Sequence, residues 1–469
     1  MATAWPTDTD RKTIPASVTQ RLAEWVVNAR YEDLPQVGIE RVKERYLDSF
    51  GAQFSGMTVS TGKVMVQWVL AQQAKEECTL VGTAHKSSAA LAALANATSG
   101  HALELCDIAT FSGHPANPLT AATLAVAEKI GASGKDAILA WMIGWEVTGQ
   151  TTRICASPSG NRLMDAGWSN QGFQPALGAA CLAAKLKGFT VQQTQMAIGN
   201  AAAGMGGLMK NRASDSKSFT CGNAAMHGVM AAELVELGFT ANTDILDGEG
   251  GVISIIGAAG IDPERVLMDL GNWDIAVKGS TIRTIASCAA GHWAVDALLK
   301  LQRQHDFKPD DIERVDVYVN AFLIPSKPYH DPQTSMEAKF SIEYDIAAQA
   351  LHGKAGLHQF TDALVRAPET RDMLKRIRLH PVEGALGQVK LEGRTIVTLK
   401  NGEVLDASSN ANHGRPEDPL TPQELHEKFH ELSDAIVPLE QRNRIIAMCE
   451  GLEEIADIRK LAAALTVKT

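Results

Sequence analysis

Histidines, carboxylates and cations crowd into four short runs of this sequence. The first runs His101-Ala-Leu-Glu104-Leu-Cys106-Asp107-Ile108-Ala-Thr110-Phe-Ser-Gly113-His114-Pro115 and ends where a long apolar segment begins. An imidazole close to a carboxylate is common equipment for proton transfer, and polar atoms set against a buried helix need partners. The second run, Lys210-Asn211-Arg212-Ala-Ser214-Asp215-Ser216-Lys217, leads through Thr220-Cys221-Gly222-Asn223 into another apolar helix. Cations beside a helix N-terminus suit a carboxylate ligand. The third is Lys278-Gly-Ser-Thr281-Ile-Arg283-Thr284-Ile-Ala-Ser287-Cys288, followed by Gly291-His292-Trp293; the fourth is Ser341-Ile-Glu343-Tyr344-Asp345. Each also has a plainer reading: a solvated loop, an exposed basic turn, a polar connector between domains, and a core tyrosine on a helix face. Residue types alone leave both readings open.

Composition narrows the classes. The chain has 469 residues, 45% hydrophobic and 21% charged, which is ordinary for a globular protein of two or three domains. A formal charge of −10 argues against a nucleic-acid partner or an anionic membrane surface, since both need clustered Lys and Arg. The seven cysteines are scattered, with no C-x-x-C pair or Cys/His cluster, so they read as reduced thiols and give no metal-site spacing. Met1 to Lys12 carries no apolar leader, and no stretch approaches the ~20 apolar residues of a membrane span. The expected compartment is the cytoplasm. Dinucleotide, P-loop, nucleophile-elbow and zincin motifs do not occur. Gly204-Met-Gly-Gly207 lies between apolar helices with no preceding strand, so a nucleotide cofactor is not expected.

The elements that must position these runs change character along the chain. Pro118–Ile130, Lys135–Gly149, Ala179–Lys187, Thr194–Ala203 and Gly222–Leu237 read as Ala-rich helices, apolar on nearly every side and therefore interior to a helical layer. Near residue 274 the pattern switches. Arg314–Asn320 alternates through Val315, Val317 and Val319, Arg376–His380 alternates again, and Arg394–Leu405 reads as two strands around Asn401-Gly402. Helices at His292–Gln304 and Ile342–Ala350 accompany them. A turn-rich stretch through Asn410, Asn412, Gly414, Pro416 and Pro419 then gives way to helix from Pro422. The expected architecture is mainly α with an inserted α+β domain: helical over 1–273, an α+β lid over 274–408, and a return to the helical domain over 409–469.

Taken in order, the runs resemble the 2-methylcitrate dehydratase (MmgE/PrpD) superfamily, which includes cis-aconitate decarboxylase and iminodisuccinate epimerase. The resemblance is carried by His101-Ala-Leu-Glu104 with Gly113-His114-Pro115, Gly144-Trp-Glu146-Val, Gly172-Phe-Gln-Pro175-Ala, Ser216-Lys217 and Gly222-Asn223-Ala-Ala-Met-His227-Gly228. It continues through His292-Trp293-Ala-Val-Asp296, Ala338-Lys339-Phe-Ser341 with Tyr344, and Gly414-Arg-Pro-Glu-Asp418-Pro419-Leu-Thr421. The resemblance implies a helical domain formed by both chain ends, an inserted lid, a homodimer, no cofactor or metal, and an active site between the domains. It assigns proton transfer to His114, Lys217 and Tyr344, and a junction cation to Lys278 or Arg283. Glu104 or Asp107 would orient His114, while Arg212 and Lys210 join the carboxylate-binding cations.

Two departures bear on the reaction. Where the family's dehydratases and decarboxylases carry Asp-x-Asp-Asp-Thr, this chain has Glu104-Leu-Cys106-Asp107-Ile108, and a family histidine is replaced by Gln174. A dehydratase needs a base for the α-proton and an acid for the departing hydroxyl. An epimerase only removes and returns one proton. The leading expectation is therefore a cofactor-independent epimerase of a small polycarboxylic acid such as iminodisuccinate, with Gln174 among the substrate contacts. The alternatives are a dehydratase or decarboxylase of a tricarboxylic acid, and an inactive binding protein on the same fold.

Overall fold

The computed structural model describes residues 16–111, 113–155, 162–212, 214–257, 261–383, 393–410 and 413–468. The N-terminal stretch read as lacking a leader lies outside them, as do Ser112 in the first run, Ala213 in the second and Asn412 in the turn-rich segment. Among the described residues, no helix is long and apolar enough to cross a membrane.

Small residues set the geometry of the helical domain. The helix Asp215–Glu236 crosses Ala89–His101 where a Cβ on Gly222 would meet Thr98 Oγ1 at 2.1 Å and the Leu94 carbonyl oxygen at 2.5 Å. At Gly228 the same helix meets Ala179, whose Cβ lies 2.3 Å from where a glycine Cβ would stand. Backbones this close trade side-chain volume for dense contact between neighbouring helices. Larger side chains fill the wider gaps: Trp141 and Trp145, both fully buried on Gly134–Arg153, stack with centroids 5.2 Å apart. Local signals set the ends. Gly131 closes Ala116–Ile130 with φ +70°, and Ser133 with Asp136 opens the next helix as a capping box.

The chain's last helices return to this first core. Leu425, Phe429, Ile445 and Leu461 share one buried cluster with Leu22, Phe50 and Leu124, and the rings of Phe54 and Phe429 sit 6.2 Å apart. A second cluster gathers Ile285, Leu298, Val315, Val317, Ile346, Val397 and Leu405, joined by Leu103, Leu105 and Leu432 from the helical part. The protein is mainly α with a smaller α+β unit.

Two short antiparallel pairs, β1 (Cys78–Thr79) with β2 (Lys86–Ser87) and β3 (Ile108–Ala109) with β4 (Ser280–Thr281), decorate the helical part. The main sheet uses β5 (Ile312–Asn320), β6 (Ile377–Val382), β7 (Gly393–Leu399) and β8 (Val404–Ser409) in the order β6-β5-β7-β8. β5 runs parallel to β6 (Val315 opposite Ile377) and antiparallel to β7 (Val315 opposite Val397), so Val315 has apolar neighbours on both sides. The Asn401-Gly402 turn joins β7 to β8 with φ +88° at the glycine. Helix His292–Gln304 lies on β7 and β8, close enough that a Cβ at Gly393 would reach the Ala294 nitrogen at 2.2 Å.

The helix expected over Gly222–Leu237 starts seven residues earlier, at Asp215. Its polar first two turns read as loop, yet Ser214 is extended at the N-cap and Asp215 lies in the first turn, where the helix dipole favours a carboxylate. Gly222 is thus a close-packing residue inside a helix. Substituting Gly222→Ala should cost roughly 1–3 kcal/mol through overpacking. Urea unfolding would measure this, and an unchanged midpoint would mean that the two helices separate freely.

Candidate functional site

A cavity of about 300 Å³ opens where the helical and α+β parts meet, at the small end of the range for small-molecule sites. Its wall includes Glu104, His114, Arg212, Lys217, Arg283 and Phe340. The wall depends on pairing β3 with β4, which sets Ile108 opposite Thr281 and Ala109 opposite Ser280. That two-residue ladder stitches the histidine-rich loop to the junction segment carrying Arg283. Arg45, itself buried, donates Nε to Ser280 Oγ at 2.7 Å and secures the segment from the helix Gln36–Gly56. From the returning helix Pro422–Ser433, Lys428 pairs with Asp48 and donates to the Leu105 carbonyl at 2.9 Å.

At the centre is an ionic cluster. Glu104 takes a left-handed backbone (φ +59°), which a non-glycine residue adopts at a cost, and is 4% exposed. Its Oε1 pairs with Lys217 and its Oε2 with Arg283 NH1 at 3.3 Å. Burial pushes this carboxyl upward, but Lys217, His101 and Arg283 outweigh it and hold it well below the usual carboxylate range. Arg283 is 1% exposed and clamps the loop: Nε donates to the Cys106 carbonyl at 2.6 Å and NH1 to the Ser287 carbonyl at 3.1 Å. Lys217, in the first turn of Asp215–Glu236, also lies 5.3 Å from the Phe340 ring centre.

His114 Nδ1 lies 2.6 Å from the Asp107 carbonyl oxygen. A carbonyl can only accept, so Nδ1 carries the hydrogen and Nε2 keeps its lone pair. Burial, then the cations Arg283 and Lys217 together with His101, hold His114 well below the ordinary imidazole value. His114 therefore presents a neutral imidazole on the cavity wall. Asp107 shapes it through the backbone, while its carboxylate accepts from the Ala116 nitrogen at 3.1 Å inside the protein. Glu104 does not orient His114; it holds Lys217 and Arg283.

His101, Glu104 and His114 bring one ligand atom each within 4.8 Å of one another, a spacing a metal ion can use. The local charge opposes it. Glu104 is committed to two cations, the His101 Nδ1 contacts Cys106 Sγ at 2.9 Å, and the excess charge at this point is positive. The arrangement suits an anion.

Several expected residues lie elsewhere. Tyr344 is in the lid core: its hydroxyl donates to the Gln359 carbonyl at 2.5 Å and its ring meets Phe360 edge-on. Ser341 caps that helix, and the helical phase turns Tyr344 inward while Phe340, just before the cap, faces the cavity. Lys278 is 45% exposed and pairs with Asp274 one helical turn back, so the cation on the wall is Arg283. Gln174 is buried, donating its amide to Cys155 Sγ at 3.2 Å, and Lys210 is exposed; neither is on the cavity wall. Arg212 lines the cavity and reaches Ser326 Oγ at 3.4 Å.

Some wall residues had no sequence signal. Asn170 and Gln171 precede the Gly172-Phe173-Gln174 motif, and Ser326 precedes Lys327 in a lid segment without periodicity. Behind Arg283 lies a buried network in which Lys327 pairs with Asp345 and donates to Ser287 Oγ at 2.9 Å. Ser287 Oγ in turn lies 2.9 Å from His292 Nε2. The Asp345 carboxyl, pushed up by burial and pulled back by Lys327, sits at about 6.

A helical domain, an inserted α+β unit and a cation-lined cavity at their junction define a two-domain protein. Sequence models of the MmgE/PrpD N-terminal domain and C-terminal domain match residues 20–261 and 285–454. The chain belongs to the MmgE/PrpD family. It is similar to cis-aconitate decarboxylase of Mus musculus, 25% identical over 468 residues covering 96% of this chain and 93% of that protein. The Homo sapiens cis-aconitate decarboxylase is 25% identical, with coverage of 96% and 94%. The cis-aconitate decarboxylase-like protein oryM of Aspergillus oryzae is 26% identical, with coverage of 96% and 97%.

Asp107 offers a pH test. Burial lifts its carboxyl to about 7, with Asp48 adding to the rise and Arg45 opposing it. A folded value above the unfolded one (about 3.9) contributes stability below pH 4 that is lost as pH rises towards 7. Asp107→Asn keeps the acceptor for the Ala116 nitrogen and removes the titration. Its melting temperature relative to wild type should climb between about pH 4 and 7. A flat difference across that window would mean that Asp107 is ionised throughout.

Proposed function

We propose that this protein is a cofactor-independent lyase that decarboxylates a small unsaturated tricarboxylic acid of the cis-aconitate kind. The observation that carries the reading is the convergence of Arg212, Lys217 and Arg283 on one small cavity that also holds the neutral base His114. Three cations match three carboxylates, and relatives aligned over nearly the whole chain are named for this reaction.

Loss of CO₂ breaks a carbon–carbon bond and leaves its electron pair spread over the double bond and the adjoining carboxylate. Arg283 and Lys217, already fixed by Glu104, would stabilise that charge without reorganisation. Lys217, an ammonium on the wall, would supply the proton that ends on carbon, and the His114 lone pair can exchange protons within the same cavity. Glu104 holds both cations in place.

Dehydration fits less well, because the positions that would add an acid for a departing hydroxyl are spent elsewhere. Cys106 contacts His101 and Arg283, Ile108 presents an apolar wall, and Gln174 bonds Cys155. Those same features favour epimerisation of a substrate such as iminodisuccinate as the second reading, since His114 and Lys217 offer one lone pair and one ammonium to a single carbon. We further propose a cytoplasmic homodimer. Trp168, Leu208 and Phe219, each at least 40% exposed beside the cavity, support a partner surface there.

Proton NMR in D₂O with cis-aconitate, 2-methylcitrate and iminodisuccinate separates these reactions. CO₂ release with deuterium in the product is expected; deuterium entering an α-position with no CO₂ or alkene would give the epimerase reading instead. His114→Ala and Lys217→Met should each lower kcat by about 10²–10⁴-fold. Rates unchanged in both variants would place the chemistry outside this cavity. Light scattering of the purified chain at micromolar concentration should give twice the monomer mass.

A further inference from the structure

Lys339 is a buried lysine that the proposed chemistry does not use. It stands at the C-cap of the short helix Ser335–Ala338, immediately before Phe340 on the cavity wall. Its carbonyl accepts from the Cys288 nitrogen at 2.9 Å, and Cys288 also lines the cavity. The backbone is thus built into the wall, and the side chain is buried within reach of the charges of Glu104, Arg283 and Lys217. Lys339 is 3% exposed, and among the described residues its Nζ has no hydrogen-bond partner.

An ammonium in such a place costs several kcal/mol unless an anion faces it. The charged groups that act on Lys339 come from three elements: Glu104 from the loop after Ala89–His101, Arg283 from the junction segment, and Lys217 from Asp215–Glu236. Glu104 is already shared between the other two cations. One carboxylate cannot balance three cations, so the Lys339 ammonium is under-compensated and holds its proton less firmly than a free lysine. Burial, with Arg283 and Lys217 adding to it, brings its titration down to about 7. A bound polycarboxylate changes this balance, because it brings the anions that Lys339 lacks.

We propose that Lys339 is a specificity-determining residue which is uncharged behind the empty cavity and takes up one proton from solvent when a polycarboxylate fills it, so that the site prefers three carboxylates to two. The inference rests on the polycarboxylate reading above and extends it. The amine gains a proton and no other bond forms or breaks. The number of cations facing the ligand would then follow the ligand's own charge.

The test is calorimetric titration at pH 8, in buffers of different ionisation enthalpy, using propane-1,2,3-tricarboxylate and glutarate as unreactive probes. Wild-type protein should take up close to one proton with the tricarboxylate and clearly less with the dicarboxylate. Lys339→Met should abolish the uptake and weaken the tricarboxylate by about tenfold or more, a loss of one cation–anion interaction worth about 1.4 kcal/mol, while glutarate changes little. Lys339→Arg, permanently charged, should restore tricarboxylate affinity without proton uptake. Tight tricarboxylate binding by the wild type with no uptake would overturn the inference and leave the functional reading standing. So would uptake that persists in Lys339→Met. Binding of neither probe by the wild type would remove the polycarboxylate reading, and the inference with it. Because the buffer series uses wild-type protein, it decides the question even where a variant folds poorly.

Discussion

Burying Arg283 is the constraint on which the rest of the site depends. A guanidinium almost without exposure must have its charge balanced and its hydrogens accepted, or it costs several kcal/mol. Glu104 supplies the charge, and the Cys106 and Ser287 carbonyls supply acceptors. To reach Arg283, the loop after His101 must bend back through the left-handed residue Glu104. That bend brings Asp107 under His114 and selects the imidazole tautomer whose lone pair remains available. One buried cation thus determines the loop path, the partner of Lys217 and the state of the base.

The two domains are joined by the same interaction. Arg283 belongs to the segment that enters the α+β part, whereas Cys106 and Glu104 belong to the helical part. The β3–β4 ladder is only two residues long and would be weak alone. Arg45 from Gln36–Gly56 and Lys428 from Pro422–Ser433 secure the segments it joins, so helices near both ends of the chain support a site in its middle. On the lid side, the Lys327–Asp345 pair and Ser287 hold the other flank of Arg283. An anion entering the cavity meets cations whose positions are already set, and this preorganisation is what electrostatic catalysis requires.

A cationic cavity in an acidic protein follows from this arrangement. The chain carries −10 overall, yet the excess at Glu104, Lys217, Arg283 and Arg212 is positive. Low-dielectric walls focus that local field, so net charge says little about the ligand. The His101–Glu104–His114 grouping shows the converse: residue types that could hold a metal sit in a field that favours anions.

Much of the architecture was legible in the sequence. Alanine-rich apolar runs gave helices, alternating valines gave β5, Asn401-Gly402 gave the hairpin, and the helix His292–Gln304 was read to its last residue. These are local signals, since hydrophobic period and turn chemistry act within a few residues. Four runs of polar residues could likewise be picked out, and His114, Lys217, Glu104, Arg212 and Arg283 from them line the cavity. Only the tertiary structure decided between Arg283 and Lys278, which are five residues apart with equivalent charge. Only the fold turned Tyr344 into the lid core and withdrew Gln174 from the wall. Direction and burial arise from contacts between segments far apart in the chain, which residue type and spacing do not encode. Lys339 makes the point most plainly: the sequence marks it only as part of the Ala338-Lys339-Phe-Ser341 motif, and its burial without a hydrogen-bond partner among the described residues arises only once the helical domain and the lid have closed around it.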